Sequence, residues 1–304
     1  LKSITDYAHS KGLKVLVDEA HGTQLYFGAN LPLAGMRAGA DMVAISMHKS
    51  GGSLTQSSIL LTGENMNVGH VRQIIGLTQT TSANYLLLSS LDLSRRNLAL
   101  RGRESFEKVI TMSEYARNEI NSIGGYYAYG KELIDGKNVF DFDVTKLCVY
   151  TKDIGLTGIE IYDLLRDEYD IQIEFGDIGN IMAYISIGDR LQDIERLVGA
   201  LEDIKRLYAR EKSGLAFVDA VIPKVVSSPQ YSFYAEKESV PIKEACGRVA
   251  GESVMAYPPG IPILAPGELI TKDIVDHILY AKEKGCSLQG TADPEVKMLE
   301  VLIK

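Results

Sequence analysis

Cysteine is scarce in this 304-residue chain: only Cys148, Cys246 and Cys286 occur, odd in number and far apart. That excludes both a disulfide framework and a C-x-x-C metal pair, and a reducing, cytoplasmic setting is expected. Basic residues are outnumbered, 32 Lys and Arg against 40 Asp and Glu, for a net charge of -8. Nucleic-acid binding relies on clustered Lys and Arg set against phosphates, and no such cluster is present. The acidic balance suits a cationic partner instead. No apolar run nears the roughly 20 residues a membrane-spanning helix needs. The first residues also lack the basic-then-apolar layout of a signal peptide, so no membrane partner is expected. Internal repeats and low-complexity tracts are missing as well.

What is present, 45% hydrophobic and 24% charged residues, describes an ordinary folded chain, long enough for about two domains. Its chemistry is concentrated in residues 14–52. There the β-branched run Val15-Leu16-Val17 follows a helix-ending Gly12 and delivers Asp18, Glu19 and His21. A second run, Met42-Val43-Ala44-Ile45, delivers Ser46, His48 and Lys49 and is followed at once by Gly51-Gly52. Both read as buried strands ending in reactive residues. In an open α/β sheet, ligands sit beyond the carboxyl ends of parallel strands, so Asp18 and Lys49 can face one site. A lysine and a buried carboxylate together suit pyridoxal phosphate, which needs an amine for its carbonyl and an acid partner for its ring nitrogen. The plain alternative is an ion pair at a sheet edge, and spacing alone does not separate the two.

The strings DEAHG at 18–22 and SMHKSGGSLTQSS at 46–58 resemble the pyridoxal-phosphate-dependent ornithine/lysine/arginine decarboxylases, members of the aspartate aminotransferase fold (fold type I). That resemblance implies Lys49 as the Schiff-base lysine, Asp18 as partner of the pyridine nitrogen, and Ala20 as a small residue under the ring. It places His21 near the ring hydroxyl and Ser46 and His48 at the phosphate. The hydroxyl-rich stretch 77–82 precedes a helical pattern over about Tyr85 to Ile120. Thr80 and Thr81 are either its N-caps or, by the resemblance, contacts to the cofactor phosphate of a second subunit. The Leu stripe of that helix, from Leu87 to Ile110, reads as core.

Further along, strands are expected at Thr145–Tyr150, Ile171–Phe175 and Ile181–Ile187, with helices from the capping box Thr157–Glu160 to Leu165 and from Arg190 to Lys212. The acidic residues Glu160, Asp163, Asp167 and Glu168 read as a solvated face, with no metal. From Ala220 the chain turns Pro-rich, and YPPGIP at 257–262 with PGE at 266–268 is a second match to the same decarboxylases. Glu252, just upstream, is the candidate for holding the distal cation of a substrate. Thr271 caps a last helix ending at Gly285.

The expected architecture is α/β: residues 1–105 are the carboxyl-terminal part of a fold type I large domain. Residues 106–214 then form an α+β small domain, and residues 215–304 a small carboxyl-terminal domain. No Gly/Ser/Thr-rich phosphate cup precedes Asp18, and the chain opens on Leu1 in mid-domain, so it reads as amino-terminally truncated relative to the family. The implied function is decarboxylation of a basic amino acid, with pyridoxal 5'-phosphate as cofactor and a homodimer or higher homo-oligomer as assembly. Arginine giving agmatine and carbon dioxide in polyamine biosynthesis comes first, lysine or ornithine second. Another fold type I reaction (aminotransferase or lyase), or an inactive chain that only folds or dimerises, stays open.

Overall fold

The computed structural model describes residues 1–211, 221–257 and 260–303. The chain divides into two compact units, one of residues 1–119, 129–147 and 184–198, the other of residues 120–128, 148–183 and 199–304.

In the first unit α1 (Lys2–Ser10) pairs Lys2 with Asp6 at helical i,i+4 spacing. Gly12, at φ +71, then turns the chain left-handed into β1 (Leu16–Asp18). β1 runs parallel to β2 (Met42–Ile45), with Asp18 level with Ala44. A one-turn helix, α2 (Met47–Ser50), follows directly, and β3 (Ile59–Thr62) returns antiparallel to β2. The sheet order is β1-β2-β3, which leaves β1 at an edge.

That position corrects the expectation of a buried first strand: Leu16 is 63% exposed and Asp18 is exposed as well. Among the described residues β1 has one neighbouring strand, and Val17 is only partly buried between the exposed Leu16 and Asp18. What fastens it is Asp41, buried just before β2. Its Oδ2 accepts the Val15 amide at 2.9 Å and His9 Nε2 at 2.8 Å, and its Oδ1 accepts Lys14 Nζ at 2.9 Å. These donors hold the Asp41 carboxyl well below the usual carboxylate range.

Two helices follow. In α3 (Val68–Thr78) no residue is buried, and α4 (Tyr85–Ile123) is the long helix expected. Asn84 caps α4, accepting the Leu86 and Leu87 amides, so neither Thr80 nor Thr81 is its cap. Leu98, Phe106 and Val109 are buried, while Leu87, Leu91 and Ile110 are only partly so.

Next come β4 (Tyr127–Ala128), β5 (Lys146–Tyr150), α5 (Gly158–Tyr169), β6 (Phe175–Gly176) and β7 (Asn180–Tyr184), the strands in the order β4-β5-β7-β6. Both halves of the Thr157–Glu160 capping box are formed. A Cβ on Gly158 would lie 1.8 Å from the Asn180 carbonyl oxygen, so the helix start meets β7 at backbone distance. The expected strand at Ile171–Phe175 shrinks to Phe175–Gly176, in register with Met182 and Ile181 of β7, and before it the Glu174 amide still donates to the Met182 carbonyl. The strand expected through Ile187 stops at Tyr184, because Asp189 accepts the Ser186 amide and closes a turn. α6 (Leu191–Tyr208) buries Ile194, Leu197, Leu201 and Ile204 but leaves Leu191 and Leu207 exposed, and its expected end, Lys212, lies outside the described residues.

The remaining elements are α7 (Pro229–Tyr234), β8 (Lys237–Pro241), β9 (Val254–Tyr257), β10 (Ile261–Leu264), α8 (Lys272–Glu283), β11 (Ser287–Gln289) and β12 (Met298–Leu302). β8 pairs with β12, and β10-β9-β11 form a second antiparallel sheet. Thr271 caps α8 as expected, and Val254, Leu264, Ile274, Ile278 and Val301 lie in one core. Each such side chain contributes about 1.5–3 kcal/mol by burial. Ala220, where the Pro-rich stretch was expected to begin, and Pro258 and Pro259 of the YPPGIP string lie outside the described residues.

Candidate active site at the ends of two parallel strands

Parallel pairing brings the carboxyl ends of β1 and β2 to one edge, and the sequence loads that edge with chemistry. Asp18 ends β1, and its Oδ1 accepts the Ala20 amide at 2.9 Å, a tight turn of the kind Asp makes with the backbone two residues on. Lys49 sits in α2, one turn beyond β2, and is exposed. Among the described residues Asp18 makes no other hydrogen bond, and Lys49 pairs with no carboxylate. The two opposite charges therefore share an edge without forming the ion pair that was the plain alternative.

Glu19, between Asp18 and Ala20, is turned inward by strand alternation and 9% exposed. Its Oε1 accepts the Gly35 amide at 2.5 Å and its Oε2 the Tyr26 hydroxyl at 2.9 Å. Burial and the carboxylate together push the Tyr26 phenol above its ordinary range. Glu19 thus anchors the edge from behind.

His21 follows and is exposed, its ring 5.9 Å from that of Tyr184 at an interplanar angle of 78°. Ser46 occupies the N-cap of α2, and its side chain makes no capping bond. His48 Nδ1 donates to the Ser57 carbonyl at 3.0 Å, which leaves its other ring nitrogen for a further partner. Gly52, at φ +85, makes the left-handed turn that closes this loop, and Ser94 of α4 ties it down through the Gly51 carbonyl at 2.5 Å. Asp18, Ala20, His21, Ser46, His48 and Lys49 thus belong to two adjacent strand ends. Thr80 and Thr81 lie on the exposed connection between α3 and α4, where Thr80 Oγ1 accepts the Ser82 amide. Glu252 belongs to the second unit, where its Oε2 accepts the Ala292 amide at 2.7 Å and its Oε1 the Glu300 amide at 2.9 Å.

Sequence reasoning missed Gln24, Asp143, Lys146 and Tyr184, which cluster behind His21. The 160-residue separation of Gln24 and Tyr184 left no local signal.

The donor set can be tested against pyridoxal phosphate. That group needs an amine, a carboxylate with a free oxygen for a protonated ring nitrogen, a small residue beneath the ring, and polar side chains for an anion. Lys49, Asp18, Ala20, and Ser46 with His48 supply these in turn, and the residues fit. Among the described residues no group of three or more His, Cys, Asp or Glu is arranged to hold a metal ion, and no helix is long and apolar enough to cross a membrane.

Comparison with known proteins bears on the family and the fold. The family description "Orn/Lys/Arg decarboxylase, major domain" matches residues 1–193, and "Orn/Lys/Arg decarboxylase, C-terminal domain" matches residues 216–293. An arginine decarboxylase of Bacillus anthracis is 42% identical over 306 residues, covering 99% of this chain and 62% of that protein. Among solved structures, a lysine decarboxylase of Francisella novicida superposes with a TM-score of 0.81 at 18% identity, over 98% of this chain and 55% of its own. An alanine–glyoxylate aminotransferase of Nostoc superposes with a TM-score of 0.52 at 16% identity, over 66% of this chain and 56% of its own. The architecture is therefore that of aminotransferase-type α/β enzymes, and the chain spans less than two thirds of the length of these relatives.

Proposed function

The chain belongs to the Orn/Lys/Arg decarboxylase family, and from that premise we propose that the β1–β2 edge holds pyridoxal 5'-phosphate and serves to release carbon dioxide from a basic amino acid. One observation carries the proposal: Asp18 and Lys49 stand at adjacent parallel strand ends, and neither neutralises the other. When bound, the cofactor supplies the electron sink that lets a carboxylate leave as carbon dioxide.

The rest is the work of this chain's own side chains. Lys49 Nζ would be the amine that holds the cofactor's carbonyl. Asp18, fixed at Oδ1 by the Ala20 amide, offers Oδ2 to the ring N–H and keeps that proton in place. Ala20 would leave room for the ring, and His21 would be the partner of its hydroxyl. Ser46 and His48 bind the phosphate, His48 through the ring nitrogen that Ser57 does not occupy. In a homodimer Thr80 and Thr81, exposed between α3 and α4, reach the partner's phosphate. Glu252, the sequence candidate for the distal cation, has both oxygens on backbone amides of its own unit, so a cation contact would have to share them.

Arginine is the substrate we favour, on the name of the Bacillus anthracis relative and its 42% identity; lysine is second, on the name of the Francisella structure. The product would be agmatine, a polyamine precursor, and three cysteines too widely spaced in sequence for a disulfide framework fit a cytoplasmic setting. Product analysis after incubation with pyridoxal phosphate tests the reading. We expect carbon dioxide and agmatine from arginine; a keto acid would mean an aminotransferase. Absence of carbon dioxide from arginine, lysine and ornithine alike would leave a chain that folds without this activity.

A further inference from the structure

The side chains behind His21 form one connected network inside the first unit. Gln24 is completely buried, and its Nε2 donates both to the His21 carbonyl at 2.6 Å and to Asp143 Oδ2 at 2.7 Å. Asp143 is fixed in turn by the Thr145 amide at 3.1 Å and the Thr145 hydroxyl at 2.7 Å, both on Oδ1. Lys146, at the start of β5, places its ammonium 3.9 Å from Asp143 and 3.5 Å from the centre of the Tyr184 ring. Tyr184 ends β7, leans its hydroxyl on Gln24 Oε1 at 3.5 Å, and its ring makes a T-shaped contact with that of His21.

His21 is thereby gripped twice by one network, at its carbonyl through Gln24 and at its ring through Tyr184. The ring contact is the one that matters for chemistry. An exposed imidazole on a turn has several rotamers within reach, and the contact with Tyr184 selects among them. Tyr184 is held in its own place by a cation over its face, with the lysine side chain 22% exposed and so largely withdrawn from water.

We propose that Tyr184, clamped by Lys146, is a positioning residue that fixes the His21 ring for contact with the cofactor. This rests on the decarboxylase reading of the edge. The aromatic ring of Tyr184 performs the positioning, and Tyr184→Phe keeps that ring.

The test uses the whole chain, labelled with ¹³C at its five histidines, in wild type, Tyr184→Phe, Tyr184→Leu and Lys146→Met, with His21→Gln to assign the His21 signals. The first readout needs no cofactor. In wild type and Tyr184→Phe the His21 ring protons carry the same displacement from the nearby aromatic ring; in Tyr184→Leu it is lost, and in Lys146→Met it is reduced. The second readout is the Kd for pyridoxal phosphate. We expect roughly tenfold weaker binding for Tyr184→Leu, the lower end of what outer partners of ligand-holding histidines contribute at metal sites. Tyr184→Phe binds as wild type does, and Lys146→Met, which removes no ring and disturbs packing less, falls between. Unmoved His21 signals in Tyr184→Leu overturn the proposal. So does an unchanged Kd in Tyr184→Leu and Lys146→Met while wild type binds and traps the cofactor at Lys49, and in that case the decarboxylase reading survives. A wild-type chain that traps no cofactor overturns that reading and the proposal with it.

Discussion

At the β1–β2 edge Asp18 accepts the Ala20 amide with one oxygen and keeps the other, whereas Glu252 and Asp293 of the carboxyl-terminal region have both oxygens on backbone amides. Glu252 accepts the Ala292 and Glu300 amides, and Asp293 accepts those of Glu295, Lys297 and Met298, which hold its carboxyl below the usual range. A carboxylate whose task is to fold a loop is saturated by the loop it folds. One that meets a ligand retains an open position, and the neighbouring lysine does not close it. The first unit contains both kinds, since Asp41, close in sequence to Lys49, is saturated by Val15, His9 and Lys14.

The sharpest break of that contrast is Lys49→Ala. We expect total loss of turnover and of borohydride-fixable cofactor, with stability within about 0.5 kcal/mol of wild type, because Lys49 is exposed and pairs with no carboxylate among the described residues. A denaturant melt and an absorbance spectrum decide it; cofactor still fixed at one other lysine would move the site.

Asp18→Asn comes next. A neutral amide keeps the Ala20 contact but stabilises a protonated ring nitrogen poorly, so turnover should fall about 100-fold while cofactor is retained. Steady-state rates near wild type would remove Asp18 from its role.

Asp41→Asn belongs to the saturated class and should act on stability alone, by about 1–3 kcal/mol. Because the folded Asp41 carboxyl is depressed below its unfolded value, its contribution is present above the unfolded pKa of about 3.9. It is lost as pH falls through the folded value. The gap between wild type and variant should therefore be constant near neutrality and narrow below about pH 4. A gap that widens in acid would contradict the assignment.

The smallest effect is expected at Glu252→Gln, which sets an amide NH₂ against a backbone donor and should lower stability by about 1 kcal/mol. A KM for arginine that rises several-fold at unchanged stability would instead make the distal-cation role its main one.

Much of this was legible in the sequence where the signal is local. The capping box at Thr157 formed as read, and β2 and α4 fell close to their expected bounds. α3 went unread, because Gly69 and Gly76 interrupt it and no residue of it is buried, so it carries no core stripe. Thr80 and Thr81 drew attention as caps although Asn84, directly before Tyr85, is an equally good cap residue and holds the amides. For the edge, residue types and spacing located Asp18 and Lys49, but their exposure depends on β1 having one neighbour, which is a property of the sheet. The Gln24–Asp143–Tyr184 network was out of reach, since its members lie 119 and 160 residues apart along the chain.

The central claim, that the open edge exists to hold pyridoxal phosphate, is tested most directly by peptide mapping after borohydride reduction of the wild-type chain mixed with the cofactor. We expect one modified peptide, carrying the phosphopyridoxyl mass on Lys49, and its loss when Asp18 and Lys49 are both replaced. Modification scattered over surface lysines, or none at all, would contradict it.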